Sequence, residues 1–341
     1  MKAAVYRGPG DVRIESVPEP VASRPNEVVL AVTKAAICGT DASEWKQGPL
    51  IARPPVTLGH EFTGRVVAVG TAVEGLSVGD RVVSGAGISC GRCTQCLRGR
   101  TNLCSEYATL GLHANGGLAE LVVSPASICV PVPDGCSDEA AAMAQPLAVA
   151  LHAARRAGIA EGSGCVVIGV GGIGAFVVAA AVAHRAAPLI AVDVDDRRLE
   201  IARNLGAHET VDARKGDPRA AIAELTGGGA EIVIEASGAP QGLELALAVA
   251  AKGARIVLVG LQAAPRELDL FSLAVREVEV AGTLAHVCAV DLPEAVQILA
   301  TTPLAETVLD RVIPLDALVE EGLRPLAEGT ARGKIVVDVR A

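Results

Sequence analysis

Two rhythms of apolar residues divide the chain. Before about residue 145 they come in short β-branched runs, VRIESV, EVVLAVT, TGRVVAVG and DRVVSGA, set apart by Gly and Pro. Short strands with few helical stretches between them suit a β-barrel-like domain. From Cys165 the rhythm changes. CVVIGV is apolar throughout, as a strand buried on both faces of a parallel sheet must be. The helix AFVVAAAVAH follows, then the strand PLIAVDV, the helix RLEIARNLGA, the strand AEIVIEASG, the helix QGLELALAVAA and the strand RIVLVG. EVEVAGTLA supplies a last strand near residue 280. Strands alternating with helices of this length predict an α/β domain with a doubly wound parallel sheet and right-handed crossovers, over residues 151–285. GKIVVDV, close to residue 341, is one further strand.

Composition narrows the picture. The 341 residues favour two domains. Half are apolar and only 2% aromatic, so the cores are aliphatic and rings to line a pocket are few. The formal charge of -9, with no basic run, argues against a nucleic-acid partner. Cys165 to Ala183 form nineteen consecutive uncharged residues, long enough to resemble a membrane span. Four glycines within six of those positions suit a backbone turn instead, so no membrane association is expected. The first twenty residues lack the apolar stretch of a signal peptide, which points to the cytoplasm.

In that compartment nine cysteines do not suggest disulfides. Cys90, Cys93, Cys96 and Cys104 fall in CGRCTQCLRGRTNLC with C-x2-C-x2-C-x7-C spacing. Four thiolates make a closed tetrahedral shell, the mark of a structural zinc. Disulfides, an iron–sulfur cluster and plain buried thiols are the alternatives. Cys129, Cys136, Cys165 and Cys288 are scattered among apolar neighbours and read as small hydrophobes.

Cys38, in AAICGTDASEW, follows a strand-like run, and His60 comes twenty-two residues later in TLGHEFTG. Such a pair can share a metal ion, or it can be two packed residues. Asp41 is placed to hold the ring nitrogen that faces away from a metal, and Glu61 puts a carboxylate beside the same point.

The turn Gly169-Val-Gly171-Gly172-Ile173-Gly174 joins a strand to a helix. Glycines there let the backbone approach a pyrophosphate, whose charge suits the helix start. Asp193, nineteen residues after Gly174, ends the next strand. An acid at that point accepts hydrogen bonds from ribose hydroxyls and repels a 2′-phosphate, so NAD is expected over NADP. The domain reads as Rossmann-type.

Taken in order, CGTD at Cys38–Asp41, GHE at Gly59–Glu61, the four-cysteine lobe, GGLAELVV at 116–123, QPLAVALHA at 145–153 and GVGGIG at 169–174 resemble the zinc-dependent medium-chain alcohol and polyol dehydrogenases. Sorbitol, butanediol and threonine dehydrogenases are among these. The resemblance covers nearly the whole chain. It implies a GroES-like β-barrel catalytic domain made from residues 1–150 and 286–341, with a zinc lobe at about 88–106. It also implies two zinc ions per chain, the catalytic one held by Cys38 and His60 with Glu61 close by. Gln145 stands where many relatives carry a Glu that binds the zinc or its water; amide oxygen is the poorer ligand. Ser43 stands where relatives often place the outer His of a proton relay. Thr40 matches the first proton acceptor, and Arg198 a basic residue that reaches the adenosine ribose. Trp45, Glu44 and Leu118 fall in segments that line the substrate pocket.

The resemblance implies hydride transfer between NAD and a secondary alcohol, diol or polyol. Gln145 leaves open an aldose dehydrogenase, and Gln145 with Ser43 a nucleotide-binding protein without catalysis. A homotetramer is expected from relatives of this length.

Overall fold

The computed structural model describes residues 1–262 and 264–341. They fall into two units, Met1–Ala148 with His286–Ala341, and Val149–Ala285.

In the second unit six parallel strands run in the spatial order Glu209–Asp212, Leu189–Asp193, Cys165–Ile168, Ala230–Glu235, Ala250–Leu258 and Glu279–Gly282. The winding reverses at Cys165–Ile168, which makes the sheet doubly wound and puts a topological switch point at that strand's carboxyl end. Val166, Val167, Ile190, Val233, Ile234 and Ile256 are wholly buried, which is why these strands read as unbroken apolar runs. The helix Gly174–Ala183 is apolar on every side, and its first eight residues are buried. The nineteen uncharged residues are therefore one strand, one turn and one short helix. Among the described residues no helix is long and apolar enough to cross a membrane. The strand read at RIVLVG starts earlier, because Ala250 already pairs with Ala230 ahead of a register shift.

The first unit is built on a seven-stranded sheet whose central strand is Glu27–Ala36. Glu61–Val69, Leu121–Pro125 and Lys334–Asp338 all pair with it antiparallel. The late strand GKIVVDV thus joins the sheet begun by the chain's first forty residues. Register now matters: Ala36 stands opposite both Glu61 and Val336. The residues just past Ala36, just before Glu61 and just before Val336 are thereby gathered at one end of the sheet. Behind them lies an aliphatic core, with Tyr6 and Phe62 its large buried rings.

Candidate functional site

That end of the sheet carries a buried polar cluster. Cys38 caps the helix Gly39–Gln47. Asp41, in its first turn, accepts the Cys38 N–H at 2.9 Å through Oδ2 and turns Oδ1 toward His60 Nδ1, 3.6 Å away. Gly59 makes the entry to His60 possible: its φ is +95, and a Cβ there would stand 2.7 Å from Leu118. The ligand atoms of Cys38, His60 and Glu61 all lie within 4.8 Å of one another. The Cys38 thiol contacts the Thr40 hydroxyl at 3.7 Å.

Carboxylates and a thiol crowd the His60 imidazole. Asp41, Glu61 and His60 are buried, and so is Lys334, whose Nζ pairs with Glu61 Oε2. Burial alone would lower the His60 pKa, yet the charges of Asp41, Cys38 and Glu61 outweigh it and hold the imidazole up to about 10. Asp41 Oδ1 and His60 Nδ1 are buried without a hydrogen-bond partner. A divalent cation would suit the same acidic surroundings in place of the imidazole proton, taking one imidazole nitrogen and leaving the other to Asp41. Thiolate and imidazole donors suit zinc. Gln145 is buried in the first turn of the helix Ala144–Ala157, and Ser43 is half-buried on Gly39–Gln47.

The four-cysteine lobe is closed by the pairing of Gly87–Ile88 with Ala108–Thr109. Its four sulfurs also lie within 4.8 Å of one another, and all four thiols are free. Cys104 Sγ accepts the N–H groups of Cys90 at 3.2 Å and Glu106 at 3.3 Å. Backbone N–H groups of Cys96 and Ser105 pull the Cys93 thiol down to about 5, while burial pushes Cys96 up to about 11. Backbone donors aimed at sulfur favour the thiolate, the form that binds metal. The donor set fits zinc with no place left for a substrate.

Two pocket assignments need correction. Glu44 is wholly buried, and its carboxylate accepts the N–H groups of Leu50 at 2.9 Å, Ile51 at 2.6 Å and Ala52 at 3.0 Å. It shapes the 48–52 turn and has no exposed oxygen to offer a substrate hydroxyl. Leu118 is also wholly buried, wedged against Gly59 in the core. It supports the His60 segment from behind and does not line a pocket. Trp45 is half-buried, with the Arg324 guanidinium 5.4 Å above its ring.

The second unit holds the glycine turn. Gly169 has φ +88, and a Cβ on it would stand 2.7 Å from the Ser237 backbone. A Cβ on Gly174 would lie 1.8 Å from the Gly169 carbonyl oxygen, so helix and strand pack backbone to backbone there. Gly172 faces open space, and a Cβ on Gly171 would meet only Arg198, at 3.8 Å. Ile173 caps the helix Gly174–Ala183. Asp193 is buried at 6% exposure, and its carboxylate accepts three N–H groups: Val170 at 2.6 Å, Val194 at 2.7 Å and Asp195 at 3.0 Å. Arg198 Nη1 stands 3.8 Å from it. Asp193 thus ties the glycine turn to the end of its own strand, a duty the sequence pattern did not disclose.

Lys334 and Glu235 escaped the sequence reading. Lys334 left one trace, a lone cation ahead of an apolar strand. Glu235 is wholly buried and accepts the Ser237 and Gly238 N–H groups, holding the loop that abuts Gly169.

Residues 24–134 match the model of the alcohol dehydrogenase GroES-like domain, and residues 172–301 that of the zinc-binding dehydrogenases. Sorbitol dehydrogenase of Bacillus subtilis is 33% identical over 88% of this chain and 86% of its own. The chain belongs to the zinc-binding alcohol dehydrogenases. As such it is an oxidoreductase of CH–OH donors, with a GroES-like domain and a Rossmann-type domain. The crystal structure of 2R,3R-butanediol dehydrogenase from Bacillus subtilis has a TM-score of 0.90 at 32% identity, covering 99% of both chains. A structure described as a zinc-binding dehydrogenase from Sinorhizobium meliloti 1021, bound to NADP, has a TM-score of 0.91 at 32% identity, covering 99% of this chain and 98% of that one.

Proposed function

We propose that this dehydrogenase transfers a hydride between NAD and a secondary alcohol, diol or polyol, forming the ketone in the oxidative direction. The reading rests on the convergence of Cys38, His60 and Glu61 at one buried point. Cys38 and His60 hold the catalytic zinc, with Gln145 or water completing its shell, and Cys90, Cys93, Cys96 and Cys104 hold the structural one. The catalytic ion supplies positive charge that makes a substrate hydroxyl more acidic.

The chain's own residues do the rest. Asp41 fixes the tautomer and orientation of His60. Thr40 Oγ1 accepts the hydroxyl proton of the substrate, and Ser43 or water passes it outward. Loss of that proton and of the hydride from the adjacent carbon turns the alcohol into the ketone. The glycine turn Gly169–Gly174 receives the cofactor pyrophosphate. Asp193, with Arg198, faces the adenosine ribose. Three backbone bonds leave the Asp193 carboxylate about one of its roughly four acceptor sites for a ribose hydroxyl. Its charge disfavours a 2′-phosphate.

The sorbitol and butanediol dehydrogenase relatives support an alcohol or polyol substrate. The test is NADH appearance across alcohols, diols, polyols and aldoses, with metal analysis alongside. Two zinc ions and oxidation of diols or polyols with NAD are expected. Activity on aldoses alone, or equal efficiency with NADP, overturns the reading.

A homotetramer accords with the exposed Leu270, Phe271 and Val275 on the helix Leu270–Val275, next to the edge strand Glu279–Gly282. An apparent mass near 34.5 kDa by light scattering would refute it. Nine unbridged thiols favour a reducing, cytoplasmic setting.

A further inference from the structure

The carboxyl ends of Leu189–Asp193 and Glu209–Asp212 form a rim rich in charge. Asp193 and Asp212 are register partners, and the Ala213 N–H donates to the Asp193 carbonyl at 3.0 Å. Arg214 and Lys215 therefore leave the sheet directly beside the acid that faces the ribose. Neither cation is unpaired. Arg214 grips the Asp212 carboxylate with Nε at 3.0 Å and Nη2 at 2.8 Å, and also reaches Asp196 at 3.1 Å. Lys215 bridges the same two acids, Asp212 at 3.0 Å and Asp196 at 3.2 Å.

The two acids have different standing. The Asp212 side chain is 8% exposed and accepts the Arg214 N–H as well at 2.9 Å, so it is a fixed anchor. Asp196 is 68% exposed at the first position of the helix Asp196–Leu205. It is held from outside, by the two cations it neutralises. Two acids against two bases leave the clamp with no surplus charge. On the other side of Asp193, Arg198 faces the Asp193 carboxylate, and Asp195 is spent on capping the helix through the Arg197 and Arg198 N–H groups. Arg197 is exposed on the same turn.

We propose that Asp196 is a specificity-determining residue, which withholds Arg214 and Lys215 from a cofactor 2′-phosphate. NAD selection then has two locks: Asp193 repels the phosphate, and Asp196 occupies the cations that would otherwise receive it. The proposal rests on the reading that the glycine turn binds the dinucleotide. Its chemistry follows from the clamp. Without the Asp196 charge, Asp212 still pins both cations beside the ribose, now with a surplus positive charge. A phosphate dianion offers acceptors to both a guanidinium and an ammonium.

The experiment compares the wild type with Asp196→Asn, and with a triple variant that adds Arg214→Ala and Lys215→Ala. Binding of 2′-AMP and 5′-AMP is measured by calorimetry, and the ratio of kcat/KM for NADP to that for NAD by absorbance. Asp196→Asn is expected to raise 2′-AMP affinity and the NADP:NAD ratio about tenfold, the scale of one hydrogen bond to a charged group. The triple variant is expected to lose that gain, and the gain should shrink as salt rises. An unmoved ratio in a protein that binds NAD overturns this proposal alone. A gain that survives in the triple variant also overturns it, and assigns the phosphate to Arg197 or Arg198. A wild type that binds neither 5′-AMP nor NAD overturns the dinucleotide reading and this proposal together.

Discussion

Replacing Lys334 by Met gives the strongest test of how the candidate metal centre is balanced. The substitution keeps the length of the side chain and removes its charge. Lys334 is 7% exposed and Glu61 1%, and Glu61 Oε2 has Lys334 as its ion-pair partner. Removing one partner of a buried pair leaves the other charge uncompensated, at a cost of about 3–5 kcal/mol. That figure applies to the zinc-free protein. With zinc bound at Cys38 and His60, the ion's charge acts on the same carboxylate, so the loss should fall to about half or less of the metal-free value. Urea unfolding of zinc-free and zinc-loaded protein, wild type and variant, measures the four stabilities. Lys334→Arg should restore most of the loss, since a guanidinium also pairs with carboxylate. The double variant Lys334→Met with Glu61→Gln should be less damaged in the zinc-free state than Lys334→Met alone, because no buried charge then lacks a partner. The reasoning is wrong if zinc-free Lys334→Met loses under ~1 kcal/mol, the range of an exposed pair. It is equally wrong if zinc-free and zinc-loaded proteins lose the same amount.

Three further outcomes are expected. Gly174→Ala forces a methyl onto the Gly169 carbonyl; it should cost about 1–3 kcal/mol in overpacking and weaken NAD binding, as calorimetry would show. Glu44→Leu should destabilise the fold by about 1–3 kcal/mol, because three N–H groups lose their acceptor, while KM for a diol stays within twofold; a large KM change would restore Glu44 to the substrate pocket. Burial pushes the Asp138 carboxyl up, but hydrogen bonds from Arg81 and Thr33 outweigh it and hold the pKa below the ordinary carboxylate value. Its stabilisation is therefore complete above about pH 4 and is lost as pH falls through the lowered folded-state pKa. Asp138→Asn should flatten that limb of the acid-unfolding curve.

What the sequence disclosed depended on how local the physics was. The Rossmann-type unit was legible because strands buried on both faces must be apolar at every position. The gathering of the four lobe cysteines was legible because they lie within fifteen residues. Lys334 was not, since its tie to Glu61 spans most of the chain and arises only from two strand registers meeting at Ala36. Glu44 misled for the opposite reason. An acid beside the single tryptophan suggests a wet pocket, and nothing local reveals that the following turn folds back onto its carboxylate. Leu118 likewise owes its burial to Gly59, a contact between distant segments.

The late arrival of the strand Lys334–Asp338 has a consequence during synthesis. About three hundred residues separate Ala36 from its partner Val336, and the whole of Val149–Ala285 is made between them. At about 5–20 residues per second, that interval lasts roughly 15–60 s. Until then Lys34–Ala36 lack a neighbour on one side, where Leu121–Pro125 covers only Glu27–Ala31, and Glu61 waits without its lysine. A nascent chain in this state has three strand residues unpaired on one side, just ahead of Cys38, a short sticky stretch that chaperones can shield. Zinc present during translation would neutralise the waiting carboxylate before Lys334 arrives. Metal supply should therefore govern the yield of folded enzyme as well as its activity.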